Sequence, residues 1–112
     1  MSEYKNNIEK IKALKDRTKG MRVLVVEDDL LLQEMYENFF LKFFEDIQIK
    51  ENGKEGFDAF MKKSYDIVIT DLEMPLMNGL DMIQAMKEIN PKQHTILVSA
   101  HQDASYLSRA IE

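Results

Sequence analysis

The sequence predicts an α/β fold, a parallel sheet wrapped on both faces by helices, because four short apolar runs alternate with four helical segments. Arg22-Val23-Leu24-Val25-Val26 is a β-branched run, the pattern of a strand buried on both faces. Ile67-Val68-Ile69, ending in Thr70-Asp71, and Thr95-Ile96-Leu97-Val98, ending at Ser99-Ala100, repeat it. Asp46-Ile47-Gln48-Ile49-Lys50 alternates instead, as a half-buried or edge strand does.

The helices follow in order. A leader helix over 3–17 carries Tyr4, Ile8, Ile11 and Leu14 as one apolar stripe on a charged rod, and Gly20 breaks it. After the first strand, Asp28 or Asp29 can cap a helix over 30–44. Its predicted core face is Leu32, Met35, Tyr36, Phe39, Phe40 and Phe43, with Leu30, Leu41 and Phe44 on the flank. Asn52-Gly53 is turn chemistry before a short helix over 54–63 with Phe57, Phe60 and Met61 inward. The loop from Leu72 to Gly79 holds Pro75, which argues against helix there. A helix over 80–89 turns Met82, Ile83, Met86 and Ile89 inward, and Asn90-Pro91 stops it. A last helix starts near Ala104 and is still running at Glu112. Most of the eight methionines fall at core spacing and read as packing.

Composition narrows the function. The 112 residues fit one domain, and 45% hydrophobic residues are enough for a packed core. Without cysteine there is no disulfide, thiolate zinc site, iron–sulfur cluster or cysteine nucleophile. No apolar run approaches the ~20 residues that span a bilayer, and the first residues lack a secretory signal's apolar stretch. The expected setting is the cytoplasm, without membrane contact. Residues 1–20 carry six basic residues against three acids, net +3, whereas residues 21–112 carry nine against seventeen, net −8. So acidic a body repels a phosphate backbone, which argues against direct nucleic-acid binding.

In open parallel sheets, functional groups gather beyond the carboxyl ends of the strands. Those ends here read Glu27-Asp28-Asp29, Asp71 and Ser99. Two carboxylates about 5 Å apart repel by roughly 3 kcal/mol at an effective dielectric near 20. Such a cluster raises its own pKa values unless a cation sits among them, and a hard oxygen-loving ion such as Mg²⁺ is the natural partner. Asp29 reads more simply as a helix cap.

Three strings carry a family likeness: Val23-Leu24-Val25-Val26-Glu27-Asp28-Asp29, the run from Asp66 to Gly79 around Thr70-Asp71-Leu72-Glu73-Met74-Pro75, and Ile96-Leu97-Val98-Ser99-Ala100. Together, in order and on the matching strand ends, they resemble a response regulator receiver domain over residues 21–112, with residues 1–20 as an addition. The resemblance implies a flavodoxin-like, doubly wound sheet of order 2-1-3-4. It implies a phosphorylation switch in which Asp71 is the phosphoacceptor, Asp28 binds Mg²⁺ directly, Glu27 binds it chiefly through water, and the backbone carbonyl of Glu73 completes the protein ligands. It makes Ser99 the hydroxyl that hydrogen-bonds the phosphoryl group and Ala100 the small residue that leaves phosphate access. Glu73 and His101 stand where the family tunes phosphoryl lifetime, with His101 read as solvent-facing. The implied partners are a sensor histidine kinase or phosphotransfer protein and a downstream target or output domain.

The family pattern continues with a fifth strand, bearing a lysine and an aromatic switch residue, and a fifth helix. All would fall beyond Glu112, no lysine follows Lys92, and Tyr106 lies on the wrong helix to replace the aromatic. The expectation is a receiver without its last strand and helix, cut from a longer protein or short by nature. The leader, joined through Gly20, is expected to run antiparallel to the first strand and to stand in for the fifth helix, in its own chain or in a homodimer partner. Fully burying its four apolar residues contributes up to roughly 6–12 kcal/mol before entropy. The plainer alternative is a linker helix or disordered leader. Three functions compete: a Mg²⁺-dependent phosphoacceptor that signals through a changed protein surface, a phosphorylation-independent pseudo-receiver or dimerisation module, and a phosphohydrolase. The first is preferred, and with it no enzyme turnover of an external substrate; no substrate-binding cap is apparent in so short a chain.

Overall fold

The computed structural model describes residues 2–98, and side chains from residue 6 onward. The elements run α1 (Ser2–Thr18), β1 (Arg22–Val26), α2 (Leu30–Phe40), β2 (Asp46–Lys50), α3 (Gly53–Lys62), β3 (Ile67–Asp71), α4 (Gly79–Ile89) and β4 (His94–Val98). Ser99, Ala100, His101, Tyr106 and the helix expected from Ala104 lie outside the described residues. The four strands form one parallel sheet in the order β2-β1-β3-β4, as the resemblance implies. Val23 to Val26, at the centre, are wholly buried, whereas β2 is partly exposed as an edge strand should be.

Register decides what each face carries. Val23 aligns with Ile67 and Ile67 with His94, while Leu24 aligns with Val68 and Val68 with Thr95. One face therefore holds Leu24, Val26 and Val68, on which α3 and α4 pack with Ala59, Phe60, Met82 and Met86. The other holds Val23, Val25 and Ile69, on which α2 packs with Tyr36 and Phe40, followed by Phe44. At the amino end of the sheet, the Arg22 N–H donates to Asp66 Oδ2 (2.8 Å), and the Arg22 guanidinium pairs with Asp46 Oδ2 (3.0 Å).

The helices depart from expectation in phase more than in place. α2 stops at Phe40 and passes into turns over 41–43, well short of residue 44. Met35 and Phe39, expected in the core, are exposed, and the inward column is Tyr36, Phe40 and Phe44. Met61 and Ile89 are likewise exposed, and the buried positions of α3 are Gly53, Gly56, Ala59 and Phe60. Each of these helices carries more apolar residues than one face can bury. Periodicity then leaves the phase open, and packing fixes it.

The leader forms the expected helix but does not lie along the sheet. Every residue of Asn6–Arg17 is exposed, and only Thr18 is buried. The Thr18 hydroxyl donates to the Leu14 carbonyl (2.9 Å) and to the Phe43 carbonyl, which fixes the end of α1 against the turn after α2. The expectation that α1 covers the sheet within its own chain is thereby corrected: three turns of this helix have no cover among the described residues.

Candidate functional site at the carboxyl edge of the sheet

β1 and β3 are neighbours, so the residues that follow them emerge side by side. Carboxylate oxygens of Glu27, Asp28 and Asp71 lie within 4.8 Å of one another. Glu27 is buried, Asp71 intermediate and Asp28 exposed, so the cluster grades from the protein interior to solvent.

Each position has a local cause. The Glu27 N–H donates to the Lys50 carbonyl (2.9 Å), extending the β1–β2 ladder by one step, and the Gln33 side-chain amide donates to the Glu27 carbonyl. Glu27 Oε2 accepts the Asp29 N–H (3.1 Å). Asp29 caps α2, its carboxylate accepting from Leu31 (2.8 Å) and Leu32 (3.1 Å). That leaves Asp28 to face outward between a buried acid and a capping one. Asp71 ends β3, and its Oδ1 accepts the Leu72 N–H (2.8 Å), which fixes the plane of the carboxylate.

The loop after Asp71 is held tightly. Gly79 opens α4 so near to β3 that a Cβ there would meet the Asp71 carbonyl oxygen at 1.9 Å. Its N–H donates to the Leu72 carbonyl (2.8 Å). Gly53, at the start of α3, allows a similar approach, since a Cβ would fall 2.2 Å from the Met77 carbonyl. Within the loop, Leu76 takes φ of 74°, the left-handed region. These approaches set the backbone around Asp71 without using a charged side chain.

The electrostatics match the geometry. The Glu27 carboxyl is pushed up to about 7, chiefly by burial and further by the charges of Asp71 and Asp28, against the opposing pull of the Asp29 N–H. Burial also raises the Tyr36 hydroxyl, with Glu27 and Asp71 adding to it, so the acidic field reaches the inward face of α2. Three converging carboxylates that offer only oxygen ligands suit a hard divalent cation.

The structure thus brings together Glu27, Asp28 and Asp71, the three carboxylates singled out from strand ends. The Glu73 side chain is exposed on the loop and is not among the converging carboxylates. Ser99 and Ala100 lie outside the described residues. Sequence reading missed Gln33, Gly79 and the Thr70 hydroxyl, which donates to the Asp71 carbonyl (2.9 Å). A glycine opening a helix directly after an Asn cap was the available signal for Gly79.

Comparison with known proteins gives a consistent picture. The family model described as "Response regulator receiver domain" matches residues 23–112. A chemotaxis protein CheY of Thermotoga maritima is 32% identical over 94 residues, 83% of this chain and 78% of that protein. A protein-glutamate methylesterase/protein-glutamine glutaminase of Desulfotalea psychrophila is 30% identical over 83 residues, 72% of this chain and only 23% of the relative. Among solved structures, the N-terminal domain of an uncharacterized Wolinella succinogenes protein superimposes with a TM-score of 0.77 at 30% identity, covering 82% of this chain and 74% of that one. A receiver domain from Clostridium thermocellum gives 0.72 at 26% identity, with 81% and 74% covered. With the family model spanning most of the chain, and the sheet order and acidic edge in agreement, the chain belongs to the response regulator receiver domain family.

Proposed function

We propose that this receiver domain takes a phosphoryl group on Asp71 in a Mg²⁺-dependent reaction and signals by changing the protein surface it presents. The observation that carries the reading is the convergence of Glu27, Asp28 and Asp71 at the carboxyl edge of β1 and β3. A carboxylate oxygen of Asp71 attacks the phosphorus of a phosphohistidine or of a small phosphodonor. A P–O bond forms to Asp71, and the bond to the leaving imidazole or acyl phosphate oxygen breaks with its electron pair.

Glu27, Asp28, Asp71 and the Glu73 carbonyl would hold the cation, and the all-oxygen donor set with a strongly raised Glu27 fits one. When bound, Mg²⁺ offsets the negative charge on the transferring phosphoryl oxygens. The chain's own contribution is positional. The Leu72 N–H orients the Asp71 carboxylate, the Asp29 N–H and the Gln33 amide hold Glu27, and the approach at Gly79 fixes the backbone carrying Asp71. By the family resemblance, Ser99 hydrogen-bonds the phosphoryl group and Ala100 leaves it room.

In this reading the domain is a switch without turnover of an external substrate. It receives phosphate in the cytoplasm from a histidine kinase or phosphotransfer protein and acts on a target or output domain. Among the described residues no helix is long and apolar enough to cross a membrane.

Intact mass after incubation with acetyl phosphate tests the proposal. One added phosphoryl group that requires both Mg²⁺ and Asp71 is expected, with no adduct on Asp71→Asn. An adduct that survives Asp71→Asn, or none on the folded wild-type chain, overturns it.

A further inference from the structure

The aromatic column that seats α2 on the sheet changes chemistry at one end. Tyr36, Phe40 and Phe44 pack against the cluster of Val23, Val25 and Ile69, and the Tyr36 ring stacks on Phe40 with centroids 6.0 Å apart. α2 starts beside the acidic edge, just after Asp29, and runs back toward Asp46, which aligns with Arg22 at the other end of β1. Tyr36 is thus the ring of the column nearest that edge, and it alone of the three carries a hydroxyl. Packing on the sheet needs only a ring, which Phe40 and Phe44 supply without one.

Register places the acids on the same side. Val25 and Ile69 are aligned neighbours, and side chains alternate between the faces of a strand, so Glu27 stands on the face of Val25 and Asp71 on the face of Ile69. Both strands keep the alternation to that point: the Glu27 N–H extends the ladder to the Lys50 carbonyl, and Asp71 is the last residue of β3. The two carboxylates therefore rise from the face that α2 covers, one pleat or about 7 Å beyond Val25 and Ile69. A helical side chain leans toward the N-terminus of its helix, which here is toward that edge. The charges of Glu27 and Asp71 also keep the Tyr36 hydroxyl protonated at neutral pH, and so a donor.

We propose that Tyr36 is a phosphoryl-binding residue, its hydroxyl donating a hydrogen bond to an oxygen of the phosphoryl group on Asp71 from the α2 side of the edge. This contact presupposes the phosphorylation of Asp71 and adds a donor to it. Ionised Glu27, Asp28 and Asp71 only accept, and a neutral hydroxyl donates without altering the charge that balances a cation. Negative charge gathers on the phosphoryl oxygens as transfer proceeds, so a donor fixed beside them favours the transition state over the free carboxylate. Gln33, almost one turn nearer the edge, gives its amide to the Glu27 carbonyl and holds the backbone. Tyr36 is the next polar head on the inward side of the helix, where it faces the carboxylates themselves.

The test follows intact mass of the full chain over time with acetyl phosphate and saturating Mg²⁺, for the wild type, Tyr36→Phe and Phe40→Leu. Circular dichroism melting confirms that each folds. Tyr36→Phe keeps the ring and removes only the hydroxyl. It is expected to take up the phosphoryl group about tenfold more slowly than the wild type. It should also lose the group more slowly once donor is removed, because hydrolysis gathers charge on the same oxygens. A merely structural Tyr36 would do the reverse, since a loosened edge admits water and shortens the lifetime. Phe40→Leu disturbs the column without touching the hydroxyl, and should melt lower yet phosphorylate within about twofold of the wild type. Equal uptake by the wild type and Tyr36→Phe overturns the inference and leaves phosphorylation of Asp71 standing. So does a shortened lifetime in Tyr36→Phe, or a Phe40→Leu slowed as much as Tyr36→Phe. A folded wild type that takes no phosphoryl group overturns the phosphorylation itself, and this contact with it.

Discussion

The two faces of one sheet are built from similar residues and end in different states. Under α3 and α4, Leu24, Val26, Val68, Met82 and Met86 are wholly buried. Under α2, the central Val23 and Val25 are equally buried, but α2 itself has no buried residue, and β4 leaves Ile96 and Val98 exposed. Among the described residues, α3 and α4 pack on one face and α2 alone on the other, which leaves the second face the more open. The sealed face supplies stability. The acidic edge sits where the two meet, anchored by β1 and β3, which both faces share.

If the sealed face dominates stability, substitutions there should be the costly ones. Met82→Ala is expected to destabilise by about 2–5 kcal/mol, read as a fall in the urea midpoint with an unchanged slope. A value below about 1 kcal/mol would mean that the face is not close-packed.

The acidic edge should act against stability in a pH-dependent way. Glu27 has a folded pKa of about 7 against an ordinary value of 4.5. A carboxyl raised on folding leaves stability intact below the ordinary value and removes it as pH climbs to the folded one. Without divalent cation, stability should therefore fall between about pH 4.5 and 7, by up to about 3 kcal/mol. Glu27→Gln should abolish that slope and be the more stable protein at pH 8. A wild-type curve that rises through this window would contradict the assignment.

The approach of α4 to β3 is a third test. Gly79→Ala places a methyl group against the Asp71 carbonyl, and the strain should cost about 1–3 kcal/mol. It should also reduce phosphorylation of Asp71 by acetyl phosphate more than Met82→Ala does, because it moves the backbone that carries the carboxylate. At the small end, Met35→Ala on the exposed side of α2 should change stability by less than about 0.5 kcal/mol. Equal effects of Met35→Ala and Met82→Ala would erase the contrast between the faces.

How far the sequence discloses this arrangement follows the same division. The strands were legible because their apolar runs are short and each is punctuated by an acid or a turn. The acidic site was legible because a parallel sheet delivers its strand ends to one rim, so Glu27, Asp28 and Asp71 could be grouped before any coordinates. Asp29 was legible as a cap. The orientation of α2 was not, since Leu30-Leu31-Leu32 and Phe39-Phe40 place apolar residues around most of its circumference. Only packing against Val23, Val25 and Ile69 selects Tyr36 and Phe40 over Met35 and Phe39. The placement of α1 was hidden for a different reason. Its stripe does not say which surface it meets, and the Thr18 bond to the Phe43 carbonyl, a contact between residues distant in sequence, fixes where the helix ends.

At the carboxyl edge, Glu27 is expected to hold repulsion from Asp28 and Asp71 that a hard cation relieves. Thermal unfolding against Mg²⁺ concentration, for the wild type and for Asp28→Asn at pH 8, tests it most directly. The wild-type midpoint should rise with Mg²⁺, by the equivalent of about 1.4 kcal/mol at ten times the dissociation constant. The rise should shrink at pH 5, where Glu27 is protonated, and vanish in Asp28→Asn. A midpoint indifferent to Mg²⁺, or one that rises equally in Asp28→Asn, would contradict the account.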